Sequence, residues 1–243
     1  MGRSGRRIQE FKQFVVRDDA CGMKVGTDAL ILGSWAGAVR FPDPQSPLQI
    51  LDIGTGSGIL ALMLAQRFPQ ARVDAIELEP DAAAQAVQNA FESPFNERIA
   101  VHGRAFQGWE GSADLIVCNP PFFHNHPKSV DRKRNLARHD DTLPLKALFR
   151  SVKGCLSEKG EFAMVFPEDR AEELREVAQG QGFHGLACIQ LRATPEHEVI
   201  RSLWSWGLQP AEELKHVWEV EGEEGQGAWS QRLAAMLAPF VSV

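Results

Sequence analysis

Hydrophobic positions along the chain change rhythm at Leu48. Before it, Ile8, Phe11, Phe14, Val15 and Val16 suit a short strand or hairpin within residues 8–24. Ala29 to Val39 is apolar at helical spacing and follows Thr27-Asp28, a helix start. Pro42, Pro44 and Pro47 then mark a surface loop. From Leu48 onward, short buried runs alternate with helical stretches. Strands are expected at Leu48–Ile53, Arg72–Glu77, Ile99–His102, Asp114–Cys118 and Glu161–Phe166. Helices are expected at Ile59–Phe68, Pro80–Phe91, Leu145–Leu156 and Glu168–Gln179, with a turn at Lys159-Gly160. Leu186–Arg192 and Val199–Trp206 have no helix between them, so they are expected to pair as an antiparallel hairpin. The tail is expected to add a strand around Lys215–Val220 and a helix around Trp229–Phe240.

Alternating strands and helices imply an α/β fold with a parallel sheet covered on both faces. With 44% hydrophobic residues, the 243-residue chain can bury a sizeable core. No apolar run reaches the ~18 residues of a membrane span, and the basic N-terminus lacks a signal peptide's apolar segment. Cys21, Cys118, Cys155 and Cys188 are widely spaced, which suits reduced thiols in a cytoplasmic protein. His124-Asn125-His126 has metal-like spacing but no Cys or carboxylate placed with it, and no metal is expected.

The chemistry concentrates at three strand ends. Gly54-Thr55-Gly56-Ser57-Gly58 follows a strand and opens a helix, where glycines let the backbone approach a ligand beside a helix N-terminus. The spacing is G-x-G-x-G, which departs from the G-x-G-x-x-G of nicotinamide enzymes. Glu77 ends the next strand, where a carboxylate accepts ribose hydroxyls. Asp52 precedes the loop and either caps its N–H groups or holds it open for a ligand's amino-acid end, one act with two readings. Asn119-Pro120-Pro121-Phe122 follows a third strand. Two prolines fix two φ angles and remove two donors, leaving carbonyls, an amide and a ring. Such a corner can accept hydrogen bonds from a planar NH2 group and stack on the ring that bears it.

Leu51–Gly58 resembles the S-adenosylmethionine loop of class I methyltransferases, and Asn119–Phe122 resembles the [DN]-P-P-[YF] motif of enzymes that methylate planar amino groups. Phe11-Lys12-Gln13-Phe14 and Cys21–Asp28 are similar to the bacterial tRNA1(Val) adenine-37 N6-methyltransferases, a likeness running from about Phe11 to the final helix. The resemblance implies a Rossmann-like class I fold with a mostly parallel seven-stranded sheet and a C-terminal antiparallel hairpin. It implies an N-terminal extension over 1–47 contributing to the donor and RNA sites, and a methyltransferase domain over 48–243, together one folded unit. It implies S-adenosylmethionine bound by Lys24, Thr27, Asp52, Gly54, Thr55, Gly56, Gly58, Glu77, Phe106 and Asn119. Asn119, Pro120 and Phe122 are the catalytic candidates: two acceptors for the amine and a ring for the base. Related enzymes often carry an acidic residue after the third strand. Here Gly103-Arg104-Ala105-Phe106 has none, so backbone groups and the Phe106 ring replace it or donor affinity is lower.

Charge adds a partner. The net charge is −6, against a general nucleic-acid binder. Yet Arg6 and Arg7 near the start, and Lys128, Arg132, Lys133, Arg134 and Arg138 after the proline corner, form two basic stretches suited to tRNA phosphates. The bland alternative for each is a solvated loop. Other readings of the whole chain are an rRNA guanine-N2 methyltransferase, a protein glutamine methyltransferase, a donor-binding but inactive RNA-binding protein, and a nicotinamide oxidoreductase. The sequence is compatible with a monomer.

Overall fold

The computed structural model describes residues 8–120, 145–222 and 228–242. A small antiparallel hairpin comes first, from β1 (Ile8–Glu10) and β2 (Val15–Arg17), followed by helix α1 (Thr27–Trp35). Then come β3 (Gln49–Ile53), α2 (Ile59–Arg67), β4 (Arg72–Glu77), α3 (Pro80–Phe91), β5 (Ile99–Gly103) and β6 (Ala113–Cys118). After the undescribed stretch follow α4 (Leu145–Cys155), β7 (Leu156–Pro167), α5 (Ala171–Gly180), β8 (His184–Arg192), β9 (Val199–Gly207), β10 (Leu214–Glu219) and α6 (Gln231–Leu237).

The main sheet runs β10-β8-β9-β7-β6-β3-β4-β5. Only β9 is antiparallel to its neighbours. The sheet therefore has eight strands among the described residues, one more than the expected seven. The eighth is the tail strand, which docks parallel to β8 through buried Trp218 and an Arg192–Glu219 ion pair at 2.6 Å. A second difference is at Lys159-Gly160, expected as a turn before a strand. The residues between Leu156 and Glu161 bulge within β7, because Leu156 pairs with Ala113 and Glu161 already pairs with Leu115.

Side chains that alternate along each strand build a separate core on each face. Ile50, Val73, Leu115, Val117, Ala163 and Val165 pack with α1, α2, α6 and the buried Phe14 and Val16 of the N-terminal segment. Leu51, Ile53, Ile76, Ile116, Phe162 and Met164 pack with α4 and α5. Burial on both faces explains why the central strands read as continuous apolar runs. Trp204 and Trp206, two apart on β9, stack at 5.2 Å in the second core. Among the described residues no helix is long and apolar enough to cross a membrane.

Charged groups secure the helix ends. The Arg67 guanidinium donates to the Gly33 and Ala36 carbonyls that close α1. Arg98 donates to the Ala65, Phe68 and Ala71 carbonyls around the end of α2. Glu161 on β7 is fully buried and accepts from the Gly37 and Arg40 N–H groups, each at 3.0 Å. Burial pushes its carboxyl up against these two bonds. Glu161→Ala removes the acceptor of two backbone donors, so a loss of about 2–4 kcal/mol in unfolding free energy is expected from urea denaturation. A change below about 0.5 kcal/mol would show that water replaces the carboxylate.

Candidate active site

Three parallel strands end level with one another. Ile53 of β3 sits opposite Ile76 of β4 and opposite Cys118 of β6. The next residue on each strand is Gly54, Glu77 and Asn119 respectively, so a loop, a carboxylate and an amide leave the sheet at one height. Neighbouring strands lie about 4.8 Å apart, which puts the backbone at Glu77 roughly 10 Å from that at Asn119, with the glycine loop between them.

The loop is stitched to β4. The N–H groups of Gly54 and Thr55 both donate to the Ile76 carbonyl at 2.9 Å. Gly54, Gly56 and Gly58 have φ of +70°, +57° and +83°, the left-handed region where a side chain is costly. A β-carbon at Gly54 or Gly56 would meet nothing within 4 Å, so these glycines border open space that a side chain would enter. Glu77 holds the loop from the other side. Its Oε2 accepts from the Gly56 N–H at 2.8 Å and its Oε1 from the Glu79 N–H at 2.9 Å. Each oxygen keeps lone-pair capacity for a further donor.

Asp52 lies wholly beneath the loop. Its Oδ2 accepts from the Thr55 hydroxyl and from the Ala61 N–H at 3.2 Å, while Oδ1 has no partner among the described residues. Burial, reinforced by the charge of Glu77, pushes its carboxyl up to about 7, against the opposing Thr55 and Ala61 bonds. Phe106 is buried in the same core as Ile53 and Ile76, below the loop that follows β5. Arg104 donates to the Ala105 and Gly108 carbonyls and so braces that loop. Asn119 and Pro120 are half-buried at the end of β6.

The structure thus brings Asp52, Gly54, Thr55, Gly56, Gly58, Glu77, Phe106 and Asn119 to one edge. Lys24 is arranged differently. Its ammonium donates to the Asp18 and Cys21 carbonyls and lies 3.9 Å from the Asp18 carboxylate, so it braces its own loop. Thr27 is exposed as the first residue of α1. Phe122 and the basic residues Arg6, Arg7, Lys128, Arg132, Lys133, Arg134 and Arg138 lie outside the described residues.

Two features escaped the sequence reading. One is Asn89, fully buried on the alanine-lined face of α3 and bonded to both the N-terminal segment and the glycine loop. A lone amide on the apolar face of an otherwise small-residue helix was the available signal. The other is the outer face of α4, where exposed Lys146, Arg150 and Lys153 recur at helical spacing on a helix without an acidic residue.

The model of the methyltransferase small domain family matches residues 39–177. A Porphyromonas gingivalis tRNA1(Val) (adenine(37)-N6)-methyltransferase is 42% identical over 206 residues, covering 82% of this chain and 80% of its own length. A relative of the same name from Serratia proteamaculans is 43% identical over 211 residues, covering 84% of this chain and 78% of its own. The chain belongs to this methyltransferase family. Solved structures agree on the fold. An Agrobacterium tumefaciens protein described as a predicted O-methyltransferase superposes with a TM-score of 0.64 at 19% identity, over 88% of this chain and 96% of its own. P. horikoshii TYW2 in complex with MeSAdo superposes with a TM-score of 0.57 at 14% identity, over 85% and 72%. In this chain's own sheet the glycine loop and the Asn119 corner leave the C-terminal ends of parallel strands, the edge at which open α/β sheets generally take ligands.

The raised Asp52 carboxyl has a sign that can be checked. Its native value near 7 lies above the ordinary 3.8, so between about pH 4 and 7 the native chain keeps a proton that the unfolded chain has lost. Stability therefore falls as pH rises through that window and levels off above it. Asp52→Asn retains an acceptor but cannot ionise. Its unfolding free energy relative to the unsubstituted chain is expected to climb from pH 4 to 7 in urea titrations. Parallel curves would mean that Asp52 titrates as an ordinary carboxyl.

Proposed function

We propose that the chain transfers a methyl group from S-adenosylmethionine to the exocyclic N6 amine of adenine 37 in tRNA1(Val). The observation that carries the reading is the level exit of Gly54, Glu77 and Asn119 from three adjacent strands. That spacing suits a donor lying across the loop with its methyl directed at the amide corner. The target is supported by the names of relatives 42–43% identical across most of the chain.

The residues present fit such a donor. Gly54 and Gly56 border a space that any side chain would fill, and Asp52 offers an unpartnered buried oxygen for a cationic group. Glu77 has lone pairs left for ribose hydroxyls, and buried Phe106, Ile53 and Ile76 offer an apolar wall for a purine. When bound, the donor supplies a sulfonium methyl with a neutral thioether as leaving group. The chain's own part is placement and electrostatics. The Asn119 side-chain oxygen and the Pro120 carbonyl accept the two N–H bonds of the amine, which favours a more tetrahedral nitrogen whose lone pair is withdrawn from conjugation with the ring and aimed at the methyl. Phe122, two residues further along the sequence, is assigned to stack on the base. Proton loss follows methylation, because the methylated nitrogen becomes acidic, and needs no dedicated base.

Residues 1–47 contribute to both sites in this reading, since Phe14 and Val16 belong to the first core and the Arg17–Lys24 stretch borders α3. An adenine in an anticodon loop must be turned out to reach the corner. Phosphate contacts are assigned to the basic stretches Arg6–Arg7 and Lys128–Arg138, with Lys146 and Arg150 of α4 continuing the second in sequence.

Methylation of total RNA from a deletion strain, followed by nucleoside analysis, is expected to yield N6-methyladenosine. N2-methylguanosine in its place would falsify the adenine assignment. Asn119→Ala is expected to lower the rate by about 10²-fold or more while the donor dissociation constant stays within about threefold. Equal loss of both would assign Asn119 a structural role instead. Reversing the charges of Arg132, Lys133 and Arg134 is expected to raise the KM for RNA and to flatten its log–log salt dependence by about two. An unchanged slope would remove that stretch from the RNA site.

A further inference from the structure

Helix α3 carries two amides toward the N-terminal segment, one turn apart. The first is Asn89. Its Oδ1 accepts from the Arg17 N–H at 3.0 Å, and its Nδ2 donates to the Arg17 carbonyl at 2.8 Å. The second Nδ2 hydrogen is donated to the Ser57 carbonyl of the glycine loop, also at 2.8 Å. Arg17 ends β2, so the amide pairs with it as a neighbouring strand's peptide would. Four residues earlier on α3, the Gln85 Oε1 accepts from the Ala20 N–H at 2.8 Å and its Nε2 donates to the Asp19 carboxylate at 2.9 Å.

These bonds have a spatial consequence. Arg17 to Ala20 is fastened to α3, and the same helix supports the loop: a β-carbon at Gly58 would stand 3.5 Å from that of Ala86. The fastened stretch leads into Cys21, whose thiol is pushed up to about 12 by burial and then by the negative charge of Glu77. The N-terminal segment is therefore held against the helix that supports the glycine loop. Packing alone does not call for an amide at residue 89. The inward residues around it are Ala82, Ala83, Ala86 and Ala90, and a buried polar group is costly unless it is satisfied.

We infer that Asn89 is a positioning residue of the donor site, locking the glycine loop and the Arg17–Lys24 segment into one arrangement through a single side chain, with Gln85 as its weaker companion. The inference rests on the reading of that loop as the S-adenosylmethionine site. It makes the N-terminal segment a working part of donor binding.

The test compares Asn89→Asp and Gln85→Ala with the unsubstituted full chain, by KM and kcat for S-adenosylmethionine with the tRNA substrate, calorimetric donor binding and melting temperature. Asp is isosteric and keeps the acceptor for the Arg17 N–H, but it loses both donors and sets an oxygen against two carbonyls. Expected is a rise of about tenfold or more in donor KM for Asn89→Asp, with kcat at saturating donor within about threefold, and a rise of about threefold for Gln85→Ala. A merely structural role would leave the donor KM of the folded protein unchanged and lower only the melting temperature or kcat, and that result overturns the inference. Should Asn89→Asp fail to fold, an unchanged donor KM in Gln85→Ala overturns it equally. An unsubstituted chain that binds no S-adenosylmethionine fails differently: it removes the donor reading of the loop, and the clamp's role with it.

Discussion

The site depends on register. β4, β3 and β6 lie side by side and parallel, with Ile76, Ile53 and Cys118 in one row. A slip of one residue in any of these strands would exchange its two faces and set the side chains of one core into the other. The two cores thus fix the register, and the register fixes where Glu77, Gly54 and Asn119 leave the sheet. Precision at the edge comes from the packing of Leu51, Ile53, Ile76 and Ile116 on one side and Ile50, Val73, Leu115 and Val117 on the other. Apart from Ile53 and Ile76, which also belong to the proposed purine wall, none of these core residues needs to touch a ligand. They make the loops stiff at their roots, and a stiff root is what positioning chemistry requires.

Much of this was legible in the residues themselves. The β3–α2–β4–α3 unit could be read because strands buried on both faces are continuous apolar runs and are bounded here by glycines and Pro80. Gly54–Gly58, Glu77 and Asn119 could be read because each falls at the end of such a run. What resisted reading has identifiable causes. β10 has the sequence Leu-Lys-His-Val-Trp-Glu and buries only Trp218, so it carries little periodic signal, although its approximate place was discernible. The bulge in β7 looks like a turn in sequence because Lys159-Gly160 is turn-like locally, and only pairing with β6 makes it part of a strand. Asn89 was invisible as a contact because its partner Arg17 lies 72 residues away. The Lys24 ammonium is directed to the Asp18 and Cys21 carbonyls of its own loop, a contact that its position in the Cys21–Asp28 run does not reveal.

Charge sorts the two ligands that the proposed reaction needs. Around the glycine loop the buried or half-buried ionisable groups are acids: Asp18 and Asp52 are fully buried, and Glu77 accepts two backbone bonds. Burial first, and after it repulsion from these neighbouring acids, pushes Asp52 and the nearby Cys21 and Cys118 thiols up. Lys24 contributes one ammonium, at 3.9 Å from Asp18. A ligand bearing a sulfonium and an ammonium relieves that repulsion, whereas a phosphate would add to it. Cations instead gather in sequence after the Asn119 corner and on the outer face of α4. The acidic interior and the basic stretches therefore have opposite preferences, so the −6 net charge of the whole chain says little about either. Asn119, a neutral amide, ends the strand beside the acidic loop and precedes the basic stretch in sequence. A charged side chain there would favour one ligand and repel the other, whereas an amide can accept from an amine without disturbing either field.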